Sequence, residues 1–187
     1  MRISAGTHRG RRLVSPVGTR TRPTSDLLRQ AMFNVLGARI MGARVLDLCA
    51  GSGAIGLDAL SRGAAAATFV EQDRGAVRRL CANLAALGLT AQARVVASDA
   101  LAALAGLRTA GDIFDCVFLD PPYRSDLAIR CIETLASGEV LSENALLVVQ
   151  TFHKTDLAEQ CGLLRRTWER RYGETRLSVY RKESGWK

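Results

Sequence analysis

The chain has 187 residues, of which 48% are hydrophobic and 24% are charged. This is enough for one globular domain with a sizeable core, and we expect no second catalytic domain. There is no run of 18 apolar residues and no charged segment leading into a short apolar one. We therefore expect neither a membrane span nor a secretory signal, and we expect a cytosolic protein.

Cysteine and histidine usage argues against disulfides and metal binding. The five cysteines are an odd number without a Cys-x-x-Cys pair, and they fall mostly within apolar stretches. That pattern is typical of free thiols in a reducing compartment. With only His8 and His153 present, we expect no zinc site.

The first 22 residues are predicted to form a basic β-hairpin appended to a main domain at residues 23–187. Two short apolar pieces flank a glycine-containing basic loop within residues 2–14. Seven arginines and one aspartate lie in the first 29 residues, so most of the net charge of +8 is at this end. Arginines without interleaved aromatic residues favour contact with nucleic-acid phosphates over base reading. The alternative is an ordinary solvated loop. The candidate binding residues are Arg9, Arg11, Arg12 and Arg22.

The main domain alternates strand and helix patterns, which predicts parallel strands joined by crossover helices. A first helix begins near Asp26 and ends at Gly37. Two strand candidates in residues 163–182 flank Tyr172-Gly173-Glu174, which predicts an antiparallel hairpin at the sheet edge. The predicted fold is α/β and Rossmann-like, with a mostly parallel sheet of seven strands. The earlier strands are predicted near 44–48, 66–71, 93–97, 114–119 and 145–150, and the helices between them near 54–62, 74–87, 100–107 and 126–137.

A glycine loop follows the first predicted strand of the main domain. Gly51, Gly53 and Gly56 match the G-x-G-x-x-G spacing of a dinucleotide site, and Glu71 lies twenty residues past Gly51 at the end of the next strand. Glycines there permit positive φ and let a cofactor approach the backbone, and the acidic residue can bind ribose hydroxyls. Taken literally, the spacing indicates NAD, and a purely structural tight turn is a further alternative.

Three aspartates favour S-adenosylmethionine over NAD. Asp47 precedes the glycines, Asp99 follows a predicted strand and Asp120 follows another. Carboxylates are unfavourable beside a pyrophosphate but favourable near a cationic sulfonium. Because ligands bind at the carboxyl ends of parallel strands, we expect these residues to meet at one crevice. The alternative for each single aspartate is a helix N-cap.

The run Asp120-Pro121-Pro122-Tyr123 indicates methylation of an exocyclic amino group on a nucleobase. Such an amine is a poor nucleophile because its lone pair is delocalised into the ring. The Asp120 carboxylate and the Pro121 carbonyl can accept hydrogen bonds from it, and consecutive prolines hold these acceptors in place. Tyr123 offers a flat face for a base taken out of its stack. The alternative is that the prolines only end a strand.

With these residues assembled, the chain resembles the RsmD family of bacterial 16S ribosomal RNA guanine-N2 methyltransferases over nearly its whole length. The glycine loop and the Asp-Pro-Pro-Tyr run occur in many methyltransferases, whereas the amino-terminal strings are more diagnostic. Cys49 stands where an aromatic residue is more usual in the family, and Gln150-Thr151 where an acidic residue is expected. The matching strings are Arg2-Ile3-Ser4-Ala5-Gly6, Gly10-Arg11-Arg12-Leu13, Arg22-Pro23-Thr24, Ala31-Met32-Phe33-Asn34-Val35-Leu36, Asp47-Leu48-Cys49-Ala50-Gly51-Ser52-Gly53, Asp120-Pro121-Pro122-Tyr123 and Arg171-Tyr172-Gly173-Glu174-Thr175.

The resemblance implies methyl transfer from S-adenosylmethionine to N2 of one guanine in 16S ribosomal RNA, guanine 966 in the family, within a small subunit that already carries proteins. It implies RNA as the partner of the basic hairpin, and we expect a monomer. We assign the catalytic role to Asp120, Pro121, Pro122 and Tyr123. In the cofactor site, we expect Gly51 to Gly53 to hold the methionine portion, Glu71 the ribose, and Asp99 with Ala100 the adenine. The candidate cofactor residues are Asp47, Ala50, Gly51, Ser52, Gly53, Glu71, Gln72, Asp99 and Ala100.

Two other functions stay open from sequence. An adenine-N6 methyltransferase on DNA or RNA would use the same tetrapeptide, but it would need a means of target recognition for which no separate domain is present. A non-catalytic RNA-binding assembly factor could keep the fold and use the basic hairpin alone. The intact glycine loop beside an intact Asp-Pro-Pro-Tyr run argues against that second alternative.

Overall fold

The computed structural model describes residues 1–15, 23–122 and 125–184. Two of the candidate site residues, Arg22 and Tyr123, lie outside these ranges. Within them, no helix combines the length and the apolar character that crossing a membrane requires.

Eight strands form one sheet in the described part of the chain. They are β1 (Arg44–Leu48), β2 (Ala66–Val70), β3 (Ala93–Val96), β4 (Phe114–Leu119), β5 (Leu141–Phe152), β6 (Gln160–Cys161), β7 (Leu164–Tyr172) and β8 (Thr175–Lys182). Their order across the sheet is β3-β2-β1-β4-β5-β8-β7-β6. The first five pair in parallel, whereas β8 is antiparallel to β5 and to β7.

The fold class and the seven predicted strands are confirmed, including the carboxyl-terminal hairpin of β7 and β8. The structure adds β6, which pairs with the start of β7 and has only two residues. A two-residue strand is too short to produce an alternating sequence pattern, so it was missed. The chain reverses strand order between β1 and β4, and a crevice at such a switch point is where α/β sheets bind ligands.

Among the residues that the structure describes, five α-helices cover the two faces of the sheet, and residues Gly37–Ile40 and Thr90–Gln92 add short 3-10 turns. Local signals place the helix ends. For example, Asp73 accepts a hydrogen bond from the Ala76 amide at 2.6 Å, and Gly88 ends that helix at a φ of 69°. The helices are α1 (Pro23–Leu36), α2 (Ala54–Ser61), α3 (Arg74–Leu87), α4 (Ala100–Thr109) and α5 (Leu127–Leu135).

Buried side chains form one hydrophobic cluster on each face of the sheet. Helices α1, α2 and α3 pack on one face, where the Phe33 ring of α1 lies 5.5 Å from the Phe118 ring of β4. Helices α4 and α5 pack on the other face. Strand β5 is therefore buried on both sides over residues 145–149, which explains its continuous apolar sequence there.

The described part of the predicted amino-terminal hairpin, residues 1–15, is packed against the main domain. Arg2 and Arg12 form a single bridge, and the Gly10 amide donates to the Ile3 carbonyl at 2.9 Å. Ile3 and Leu13 are buried in the same cluster as α1, α2 and α3. Although it is basic, the hairpin contributes apolar residues to the core of the main domain.

A buried ion pair joins this hairpin to two helices. Asp58 of α2 is 0% exposed, and it accepts hydrogen bonds from the amide and the hydroxyl of Ser4 at 2.7 and 2.9 Å. Its carboxylate also lies 3.3 Å from the guanidinium of Arg29 of α1, which is 4% exposed. Three separate segments are held together at one carboxylate.

We predict that Asp58→Ala lowers the free energy of unfolding by about 3 kcal/mol or more, because Arg29 would remain buried without this partner. The measurement is urea denaturation of the two proteins. Asp26→Ala is the matched control, since Asp26 pairs with the same Arg29 at 2.6 Å but its side chain is 47% exposed. We expect that control to cost under about 1 kcal/mol. Equal losses in the two variants would contradict this account of the cluster.

Candidate active site

A cavity of about 420 Å³ opens at the carboxyl ends of the parallel strands. Residues that follow β2, β3 and β4 line it, as predicted from the strand ends. The predicted site residues in its lining are Glu71, Gln72, Asp99, Ala100, Asp120, Pro121 and Pro122. The structure therefore brings together the acidic ends of three strands and the proline run in one crevice.

The glycine loop borders this cavity at the end of β1. The Ala50 amide donates to the Val70 carbonyl at 2.9 Å, which ties the loop to β2. Gly53 has a φ of 83°, and a Cβ there would lie 2.3 Å from Leu80 of α3. A Cβ on Gly51 would meet nothing within 4 Å, so the loop is open on that side. Ala50, Gly51, Ser52 and Gly53 lie beside the cavity, and the loop residue that lines it is Cys49.

Glu71 connects the loop to the next helix. One carboxylate oxygen accepts from the Gly51 amide at 2.8 Å, and the other accepts from the Asp73 amide at 2.8 Å. Glu71 therefore fixes the position of the glycine loop relative to β2. Ribose hydroxyls that bind here would approach a carboxylate already held in place by two backbone donors.

Asp47 lies underneath the loop and does not line the cavity. It is 1% exposed, and its Oδ2 accepts from the Gly56 amide in the first turn of α2 at 2.9 Å. Its Oδ1 is buried without a hydrogen-bond partner in the described ranges. Burial raises the pKa of Asp47 to about 7; the Gly56 hydrogen bond opposes this, while the nearby charges of Asp120 and Glu71 add to it. A direct cofactor contact by Asp47 stays a prediction.

Asp99 is a helix N-cap and also lines the cavity. Its Oδ1 accepts from the Leu101 and Ala102 amides at 2.9 and 3.2 Å, so it is the N-cap of α4. The same exposed side chain lines the cavity together with Ala100. The cap fixes the carboxylate through Oδ1 alone, which leaves Oδ2 to other donors.

Asp120 lines the cavity with a carboxylate that has no hydrogen-bond partner among the described residues. It is half-buried, and in the described parts of the chain it has neither a hydrogen bond nor an ion pair. Burial raises its pKa to about 7. Pro121 is buried behind it and Pro122 is exposed. Since a half-buried acceptor without a partner is costly, this position is suited to a ligand that donates hydrogen bonds.

Five further lining residues were not among the predicted site residues: Cys49, Val70, Ser98, Leu127 and Gln150. Cys49 has a positive φ of 65°, and burial raises the pKa of its thiol to about 12, so it is neutral. Ser98 follows the strand predicted near 93–97 and Gln150 ends the strand predicted near 145–150, so the strand-end rule that selected the aspartates would also have selected these two.

Arg9, Arg11 and Arg12, the candidate phosphate-binding arginines within the described residues, are exposed, but the tip of their hairpin lies away from the cavity. The Arg11 guanidinium donates to the Ala86 carbonyl near the end of α3 at 3.2 Å. The His8 amide donates to Ser61, the last residue of α2, at 2.9 Å. Helix α2 has eight residues and begins at the glycine loop, so the hairpin tip is roughly 12 Å from that loop. Arg9 and Arg12 are exposed on the same hairpin.

Comparison with known proteins identifies the relatives of the chain. A family model described as "Conserved hypothetical protein 95" matches residues 1–181. Ribosomal RNA small subunit methyltransferase D of Escherichia coli strain K12 is 44% identical over 151 residues, which are 81% of this chain and 74% of that protein.

Solved structures agree with this relationship. A hypothetical protein of Thermus thermophilus superposes with a TM-score of 0.80 at 36% identity, covering 96% of this chain and 98% of that one. The T. thermophilus 16S rRNA N2 G1207 methyltransferase RsmC, solved with AdoMet and guanosine, has a TM-score of 0.71 at 26% identity; the match covers 89% of this chain and 45% of that one. The chain belongs to the RsmD family of ribosomal RNA methyltransferases.

Proposed function

We propose that the protein methylates the exocyclic N2 of one guanine in 16S ribosomal RNA, at the position that corresponds to guanine 966, within an assembled or assembling small subunit. The observation that carries this proposal is Asp120. Its carboxylate, which has no hydrogen-bond or ion-pair partner among the described residues, is held at the end of β4 beside two prolines, in the same cavity as Glu71 and Asp99. The relative RsmC, an N2 methyltransferase solved with guanosine, supports guanine as the target.

S-adenosylmethionine is the cofactor, and when bound it supplies an electrophilic methyl group on a sulfonium that the amine attacks in line. The residues present fit it. Glu71, Asp99 and Asp120 line one cavity, and their carboxylates would favour a cation bound there. The Gly51 side of the loop is open to a ligand. We assign the methionine portion to Ala50–Gly53, the ribose to Glu71 with Gln72, and the adenine to Asp99 with Ala100.

Asp120 and the Pro121 carbonyl would act on the amine. Two acceptors that hold both N–H groups favour a localised lone pair on N2, which makes the nitrogen a better nucleophile. Proline fixes φ, so these acceptors need little reorganisation during the reaction. As the bond from N2 to the methyl carbon forms, the bond from that carbon to sulfur breaks and S-adenosylhomocysteine leaves. The alkylated nitrogen is then acidic, and the Asp120 carboxylate would take its proton. Tyr123, which lies outside the described residues, is proposed to stack on the base.

RNA binding is assigned to the arginines of the hairpin. Arg9, Arg11 and Arg12 are exposed, and we propose that they contact phosphates outside the cavity, together with Arg22, which the structure does not describe. In this arrangement, the hairpin contacts RNA phosphates at a distance from the target base. The base itself would reach the cavity after leaving its stack.

The test is transfer of labelled methyl from S-adenosylmethionine to small-subunit particles and to naked 16S ribosomal RNA that lack the modification. Nucleoside mass spectrometry then identifies the product. N2-methylguanosine is the expected result. N6-methyladenosine would reassign the protein to the adenine enzymes, and cofactor binding without any product would contradict the proposed substrate.

Asp120→Asn should lower kcat by about 10²-fold or more while cofactor affinity stays within a few-fold, because the carboxylate acts on the amine. Kinetics on the methyl-accepting RNA and calorimetry with S-adenosylmethionine separate the two effects. Asp115→Asn is the matched control, since Asp115 is on the same strand at the opposite edge and contacts the Arg44 amide at 2.8 Å. Equal kcat in the Asp120 variant and the control would remove Asp120 from the reaction.

The rate should also depend on pH. A pKa raised to about 7 means that Asp120 is ionised above that pH and protonated below it. A protonated Asp120 loses acceptor strength, so we expect kcat/KM to fall as the pH decreases through about 7. The free energy of unfolding should change with pH in the opposite direction to the rate. Because the pKa of this carboxyl group is raised in the folded state, the group favours the folded state at low pH, and this contribution is lost as the pH rises. Calorimetry at each pH checks that cofactor binding is not the cause. A rate that stays constant from well below to well above this pKa would contradict the role of Asp120 as an ionised acceptor.

A further inference from the structure

The turn between β7 and β8 lies at the same edge of the sheet as the cavity. β5 and β7 are both antiparallel to β8, so they run in the same direction and end together. β5 ends at Phe152 and β7 at Tyr172. The turn is part of the family-like string noted in the sequence, and neither the cofactor nor the target amine requires it.

Strand register connects this turn to the cavity in a single row. Gln150, which lines the cavity, pairs with Leu177 of β8, and Leu177 pairs with Arg170 of β7. Residues directly opposite in antiparallel strands point to the same face of the sheet. Because neighbouring strands are about 4.8 Å apart, Arg170 starts roughly 10 Å from Gln150. The next row is Phe152, Thr175 and Tyr172 on the same face.

Aromatic rings and cations alternate at the end of these rows. The Arg170 guanidinium lies over the Tyr172 ring, 5.5 Å from its centroid. The Phe152 and His153 rings are in tilted contact at 4.5 Å. Phe152 also borders a small cavity together with Pro121 and Pro122, which places it next to the target side of the site. Proteins bind unpaired RNA bases by stacking them on aromatic rings and on arginine guanidinium groups.

The two arginines nearest the turn are available for an anion. Arg170 and Arg171 are exposed, and neither forms an ion pair within the described ranges. The neighbouring carboxylate, Glu169, already pairs with Arg166 at 2.8 Å and Arg176 at 3.6 Å. Arg171 donates through Nε to the Gly173 carbonyl at 2.6 Å, which stabilises the turn. Its side chain alternates with that of Arg170 and starts on the opposite face of the sheet. The acid that remains beside them is the exposed Glu174.

We propose that this turn surface, made of Arg170, Arg171, Tyr172, Phe152 and His153, binds the unpaired RNA strand next to the target nucleotide. The hairpin tip lies toward the far end of α2, so it does not supply cations at the cavity edge. The turn surface supplies them there, with rings for stacking. This proposal rests on the proposed RNA substrate. In it, the turn surface is a positioning element, and the methyl transfer itself stays with Asp120.

The test compares an Arg170→Ala/Arg171→Ala variant with an Arg108→Ala/Arg165→Ala control. The control removes two exposed arginines at the opposite edge of the sheet, each in a surface ion pair. Binding to naked 16S ribosomal RNA is measured at several salt concentrations. We expect roughly tenfold weaker binding for the turn variant, and a slope of log affinity against log salt that falls by about 1.4, as two lost single-strand phosphate contacts require. The control should match the wild type.

Tyr172 gives a second variant that tests stacking. Tyr172→Leu should weaken RNA binding several-fold and raise KM for RNA with little change in kcat, whereas Tyr172→Phe should retain binding. Thermal unfolding and S-adenosylmethionine calorimetry check that each variant is folded. Because Tyr172 packs partly against the core, the comparison with Tyr172→Phe separates loss of the ring from loss of stability.

The outcomes distinguish this proposal from the proposed function. If the arginine variant and its control bind RNA equally, the turn surface is refuted even when the wild type makes N2-methylguanosine. If affinity falls for protein-containing particles but not for naked RNA, the surface contacts a protein and the proposal is overturned. If the turn variant loses RNA binding as expected but the wild type makes no N2-methylguanosine, the surface stands and the proposed function fails.

Discussion

Two carboxylates that accept backbone amides hold the glycine loop, and the site depends on where that loop lies. Asp47 accepts from Gly56 beneath the loop, at the start of α2. Glu71 accepts from Gly51 at its side, at the end of β2. These bonds join β1, β2 and α2 at one point, so the loop has little freedom to move without breaking a charge-assisted hydrogen bond. The cavity takes its shape from this junction and from the parallel strands on either side.

This arrangement concentrates acidic groups where water is scarce. Burial raises the pKa values of Asp47 and Asp120 to about 7, and the charges of Asp120 and Glu71 contribute to the shift at Asp47. A site of this kind is destabilising in itself and becomes favourable when a cation or a hydrogen-bond donor enters it. These buried carboxylates destabilise the fold, but they favour the binding of a sulfonium cofactor and an amine substrate. The negatively charged pyrophosphate of a dinucleotide would be repelled by the same carboxylates.

The distribution of the basic residues is the second constraint. The hairpin is attached through buried contacts, above all Ser4 and Arg29 with Asp58, so its arginines are presented from a fixed position. The tip of the hairpin lies along α2 and α3, away from the cavity, whereas Asn83 joins Val14 at its base to Ser52 of the glycine loop. Among the described residues, the β7–β8 turn supplies cations at the cavity edge. An RNA strand held by both would pass over the site between them.

The sequence by itself determined the order of the elements, the glycine loop and the set of acidic strand ends, because each has a local signature in spacing and polarity. It also determined that Asp99 could be a cap or a ligand, without choosing between them. Only the tertiary structure showed that Asp99 is a cap that also lines the cavity, and that Asp47 supports the loop from below and does not line the cavity. It also placed the tip of the hairpin away from the site. These outcomes depend on register between strands that are distant in sequence and on which face each side chain takes. No local pattern of residues encodes them.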